Sequence, residues 1–210
     1  MKGTGKEHMK KLPLDFYRRE NVLEIARELL GKIIMTKWEE ETSGRIVEVE
    51  AYRGAGDSAS HASGGKRTAR NEVMYAEGGI AYVYLCYGIH HLFNVVTHAR
   101  DIPHAILVRA IEPLTGVELM LRRTGKKKLD HGLTRGPGNL AKALGIHVSM
   151  SGSRLDSEIL IMDDGTRYSK KEIGISPRIG VDYAGEDALL PYRFFLKGNP
   201  YVSGKKSNKL

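Results

Sequence analysis

Two pairs of strand-like runs, each pair joined by a short turn, constrain this chain most. Lys32–Trp38 and Arg45–Tyr52 flank the polar turn Glu39–Gly44, and Gly79–Tyr87 and Ile89–Thr97 hinge on Gly88. Strands so closely spaced argue for antiparallel hairpins. Ala105–Ile111, Ser157–Met162, Arg178–Val181 and Tyr192–Leu196 read as further strands. Helical spacing of apolar residues marks Asn21–Leu30, with Asn21 as N-cap and Gly31 as the stop. A Thr-x-x-Glu box opens a second helix over Thr115–Arg123, and proline near the start of Arg135–Gly145 opens a third. The fold expected is α+β: a single domain with a curved, largely antiparallel sheet, surrounding helices and a protruding β-hairpin. Its bounds are residues 13–204, with a basic, flexible arm at 1–12 and a basic tail at 205–210.

Composition narrows the partner. The 210 residues bury a real core, and 41% hydrophobic with 28% charged residues describes a folded chain. Lys+Arg number 33 against 25 Asp+Glu, a net charge of +8, so an anionic partner is indicated, with nucleic acid ahead of membrane. One cysteine, Cys86, excludes an internal disulfide and a cysteine-rich zinc site and agrees with a reducing, intracellular setting. That setting is cytoplasm or nucleoid in a bacterium and nucleus in a eukaryote. No apolar run approaches the roughly 20 residues that span a bilayer, and residues 1–11 lack the apolar segment of a signal peptide.

Five of the ten tyrosines, Tyr52, Tyr75, Tyr82, Tyr84 and Tyr87, fall in one stretch that also holds Glu48, Glu50 and His61, rimmed by Lys66, Arg67 and Arg70. On the strand Arg45–Tyr52, alternation presents Ile46, Glu48, Glu50 and Tyr52 on one face and Val47, Val49 and Ala51 on the other. Three readings compete for the carboxylates. They form a solvated outer face, or a metal site with Asp57 and His61, or they act on a glycosidic bond. Two acids on one strand face stand about 7 Å apart, which favours one catalytic carboxylate over an acid/base couple. In the hairpin Tyr82 and Tyr84 project together, while Tyr87 abuts the turn glycine, where little core is available to cover it. Arg53–Asn71, rich in Gly, Ser and Ala, reads as a long loop, functional or disordered.

The segments VEVEAYRGAGDSASHASGGKRTARN, YVYLCYGIHHLFNVV, ILVRAIEPLTG, GPGNLAKALGI and PRIGVDYAGEDALLPYRFFLKGNPYVS together resemble the alkyladenine (3-methyladenine) DNA glycosylase family. The resemblance runs in order over nearly all of Val22–Ser203. It implies monofunctional excision of alkylated or deaminated purines by base flipping and water attack on C1′, leaving an abasic site, as in the DNA-3-methyladenine glycosylase II type of hydrolase. By the same resemblance Glu50 is the general base, and Tyr52, His61 and Tyr84 enclose the everted base. Tyr87 intercalates into the duplex, Asn94 obstructs the exocyclic amino group of guanine, Arg109 orients the water and the backbone, and Val181 supports the nucleotide beside the water. Neither metal nor other cofactor is implied, and the partner is double-stranded DNA containing the lesion, bound by a monomer. A non-catalytic damaged-DNA-binding protein built on the same hairpin is the alternative. Sequence does not rank methylpurines, hypoxanthine and ethenoadenine as substrates, because pocket shape decides that.

Overall fold

A computed structural model describes residues 9–204. Nine strands of the described residues make one sheet: β1 (Lys10–Lys11), β2 (Ile33–Thr36), β3 (Thr42–Tyr52), β4 (Ala81–Cys86), β5 (His90–Thr97), β6 (His104–Thr115), β7 (Ile159–Asp163), β8 (Ile173–Ser176) and β9 (Arg193–Leu196). They lie in the order β1-β7-β2-β3-β6-β5-β4, with β9 joining β3 to β8. Every ladder among the described residues is antiparallel. The chain is thus a single α+β domain with a curled antiparallel sheet, and both expected hairpins form.

Strand β3 is the hub. One edge pairs with β6 along most of its length, while the other pairs first with β2 at 42–45 and then with β9 at 48–50. Its second half is therefore flanked on both sides. Helix α2 (Val22–Leu29) lies against β3 and β6. Asn21 caps it as expected, its side chain accepting the N–H groups of Leu23 and Glu24 at 3.1 and 3.3 Å. Val22, Ile25, Ala26 and Leu29 form its buried stripe, and a fully buried Ile or Leu side chain contributes about 1.5–3 kcal/mol. Helix α4 (Pro137–Leu144) starts on Pro137 and stops at Gly145, again as expected. A short α1 (Leu14–Tyr17) and α3 (Val117–Thr124) complete the helices. No helix of the described residues is long and apolar enough to cross a membrane.

Several expectations need correction. The Thr115–Glu118 box does not form, because Thr115 is the last residue of β6, paired with Ser43. Gly116 caps α3 instead, at φ 75. A Cβ there would lie 2.5 Å from the Glu41 carbonyl oxygen, so chain crossing, rather than side-chain capping, sets that helix start. Arg178–Val181 is not a strand, and the strand nearby is β8, at Ile173–Ser176. Lys10 and Lys11, assigned to the arm, pair with Asp163 and Met162 of β7, and Leu12 is buried. The rest of the arm, 1–8, and the tail, 205–210, lie outside the described residues. Ile46 does not share the face of Glu48 but joins Val47, Val49 and Ala51 in the core.

Candidate active site

Two compensating bulges build the site. Between Ile46 and Glu48, β3 advances two residues while β6 advances one. Between Glu48 and Val49 the imbalance reverses, so Val47 is extra on β3 and Arg109 extra on β6. Bulges re-aim side chains and recur beside functional sites. Here they bring Arg109 to both glutamates. Its Nε donates to Glu48 Oε1 at 2.9 Å, its Nη1 to Glu50 Oε2 at 3.2 Å and its Nη2 to Ser203 Oγ at 3.3 Å.

The face is not solvated, since Glu48 and Glu50 are both fully buried. Their environments differ. Glu48 accepts from Arg109, from Arg193 Nε at 2.7 Å, and from the Ser203 hydroxyl and N–H at 2.9 and 2.6 Å. Burial pushes its carboxyl up, but Arg109, Arg193 and Ser203 outweigh burial and hold it below the usual range. Glu50 accepts from the Tyr52 hydroxyl at 2.9 Å and Arg109 on Oε2, and from the Ile179 N–H at 2.8 Å on Oε1. Burial dominates there, and Arg109, Ile179 and Tyr52 offset it only in part, so the carboxyl stays above its ordinary value. A buried carboxylate that holds a proton more tightly than usual is a stronger base.

Tyr52 connects Glu50 to a ring-lined cavity. Burial and the neighbouring Glu50 keep its phenol protonated and donating. Its ring carries the Arg178 guanidinium 4.7 Å from the centroid, and Asp57 fixes Arg178 from the other side through bonds of 2.5 and 2.8 Å. His61, Tyr82 and Tyr84 line the same cavity, together with Met74, Asn94, Ala105 and Tyr183. His61 and Tyr84 meet edge to face at 4.6 Å, and His61 Nδ1 bonds the Tyr82 hydroxyl at 2.8 Å. Burial and Arg70 lower the His61 imidazole to about 4, so the ring is neutral at physiological pH. Asn94 donates to the Tyr82 carbonyl at 3.1 Å, which fixes the direction of its amide.

The expected residues thus fall into two groups. Glu50, Tyr52, His61, Tyr84, Asn94 and Arg109 converge. Val181 packs with Ala59 and Ala184 in a small cluster that Tyr52 covers, so it backs the cavity without lining it. Tyr87 stands apart at the hairpin apex, 92% exposed, with Leu85 and Ile89 also exposed. Tyr75 packs in one cluster with Tyr82 and Met74 but does not line the cavity, and it donates to the Lys66 carbonyl, tying down the loop after β3. Asp57 and Asn71 order that loop further: Asp57 accepts the N–H groups of Arg53 and Ala59, and Asn71 donates to the carbonyls of His61 and Lys66.

Sequence reasoning missed Arg178, Arg193, Ser203, Tyr183 and the Ile179 N–H. One signal was present for the arginines. Arg193 interrupts the apolar run 189–196 and Arg178 follows Pro177 beside Ile179, and a charge among apolar neighbours is buried only when paired. The metal reading of Glu48, Glu50, Asp57 and His61 does not fit the donor set. Arginines occupy Glu48 and Asp57, Tyr82 occupies His61, and no three such side chains among the described residues converge on a metal position.

Known proteins match this chain in sequence. Residues 15–200 fit a family model described as Methylpurine-DNA glycosylase (MPG). Proteins bearing the name "Putative 3-methyladenine DNA glycosylase" are similar along nearly their whole length. That of Desulfitobacterium hafniense (strain Y51) is 44% identical over 205 residues, covering 94% of this chain and 100% of the relative. That of Chlamydia abortus is 47% identical over 191 residues, 88% of this chain and 97% of the relative. That of Bacillus licheniformis is 46% identical over 194 residues, 91% of this chain and 96% of the relative.

Proposed function

The chain belongs to the methylpurine-DNA glycosylase family, whose members hydrolyse N-glycosyl bonds, and we propose that it removes alkylated and deaminated purines from DNA by base flipping and water attack on C1′. The observation that carries this reading is the link from cavity to carboxylate. A fully buried Glu50 holds the hydroxyl of Tyr52, and Tyr52 is itself a wall of the ring-lined cavity.

The chemistry follows from charge. Alkylation at N3 or N7 makes the base cationic, so it leaves neutral without prior protonation. Tyr52 and Tyr84 favour an electron-poor or cationic base between them, and the name the relatives bear supports 3-methyladenine as one such base. Glu50 keeps a lone pair on Oε1 beside the bond from Ile179, suited to orient and deprotonate water. Its negative charge stabilises the developing oxocarbenium sugar in a site that excludes bulk water. Arg109 holds Glu50 in place and restrains the rise in its proton affinity. Tyr87 at the apex fills the gap in the duplex, and damaged, poorly stacked bases are the easier ones to extrude. No lysine among the described residues lines the cavity, which supports attack by water and an abasic product.

Glu50→Gln tests the reading. It should retain binding to duplex carrying an abasic-site analogue while single-turnover base release falls by at least about a hundredfold. Turnover near the wild-type rate would remove Glu50 from its role. Retained binding with no release by either protein would favour the non-catalytic binder.

A further inference from the structure

The cavity among the rings is small, about 40 Å3. That is room for about three waters, at the roughly 10–15 Å3 each requires. A purine's two fused rings are larger than that enclosed space, so the readiest way to seat a base is for a wall on the open side to give. Most walls are fixed. Tyr82, Met74, Asn94 and Ala105 are buried, and shifting them would open the core. Tyr52 is held by Glu50 on its hydroxyl and Arg178 on its ring.

Tyr183 is different. It lines the same cavity yet is 71% exposed, and one polar contact holds its side chain, the hydroxyl donating to the Ala59 carbonyl at 3.1 Å. Val181 and Ala184 on either side of it are buried against Ala59. The backbone is therefore anchored and the freedom lies in the side-chain torsions.

We propose that Tyr183 is the moving wall of the base pocket: its ring turns aside to admit the everted base, returns over it, and by its bulk sets the largest base that the closed pocket accepts. This rests on the glycosylase reading above and adds a specificity-determining residue to it.

The test compares two duplexes with the same cationic leaving group at different sizes, one carrying N7-methylguanine and one N7-(2-hydroxyethyl)guanine. Single-turnover base release is measured for the wild type, Tyr183→Ala, Tyr183→Trp and Tyr183→Phe, with thermal midpoints confirming that each variant folds. Tyr183→Ala should raise the large-to-small rate ratio about tenfold, a typical worth of a few atoms in a pocket. Tyr183→Trp should lower the ratio, and Tyr183→Phe, which keeps the ring, should leave it unchanged. A ratio unmoved by Tyr183→Ala, or moved the same way by Ala and Trp, overturns the moving wall alone. If the wild type releases neither base, the glycosylase reading fails and the moving wall fails with it.

Discussion

Two glutamates two positions apart on one strand face opposite electrostatic worlds. Glu48 is saturated by two arginines and Ser203 and stays ionised, whereas Glu50 has one arginine and a burial cost that raises its proton affinity. Such divergence between neighbouring acids separates a structural charge from a working one. Arg109 belongs to both. Replacing it with Gln removes the strongest influence opposing burial at Glu50, so the Glu50 carboxyl moves further up. The acid limb of the pH–rate profile should then shift to higher pH, and the rate on its plateau should fall by about a hundredfold. Glu48 keeps Arg193 and Ser203, yet breaking a buried pair still costs about 3–5 kcal/mol of stability. A limb that stays in place while the plateau drops would assign Arg109 to the DNA and not to Glu50.

At the scale of the element, the β4–β5 hairpin carries a cost of its own. Tyr87 sits at φ 51 beside Gly88 at φ 73, the left-handed region in which a bulky residue is unusual. A glycine would adopt it freely, so the turn itself does not call for a ring at the apex, which supports the wedge proposed for Tyr87. Tyr87→Gly should stabilise the protein by up to about 1 kcal/mol and slow excision from duplex more than from single-stranded DNA. Equal slowing of both substrates would count against a wedge. The hairpin was legible because alternation and Gly88 fix its register locally. The bulges at Val47 and Arg109 were not, since two compensating skips leave no mark on either strand read alone.

The whole molecule carries a pH response that runs against that of Glu50. Burial and nearby cations hold His61 and His104 at about 4, against an ordinary 6.5. Between those values the unfolded chain takes up protons at both rings that the folded chain refuses. Folded stability is therefore full above about 6.5 and declines as pH falls toward 4. Glu50 acts with the opposite sign, because its raised carboxyl is easier to bury protonated at low pH, and so offsets part of the decline. Thermal midpoints recorded across this range should fall more steeply for the wild type than for a His61→Gln/His104→Gln double variant. Identical slopes would mean that neither ring is buried neutral.

The sequence by itself determined the strand pairs, the capped helix at Asn21, the aromatic hairpin and the acid at position 50, because alternation, caps and turn residues act over a few positions. Only the tertiary structure decided that Glu48 is saturated by Arg109 and Arg193 while Glu50 holds its proton more tightly than usual. That choice depends on Arg193 and Ser203, which lie 145 and 155 residues further along the chain. The identity of the moving wall was likewise hidden, since Tyr183 reads in sequence as one tyrosine among ten. Burial and charge pairing are properties of what surrounds a residue in space, and no local pattern of residue types encodes them.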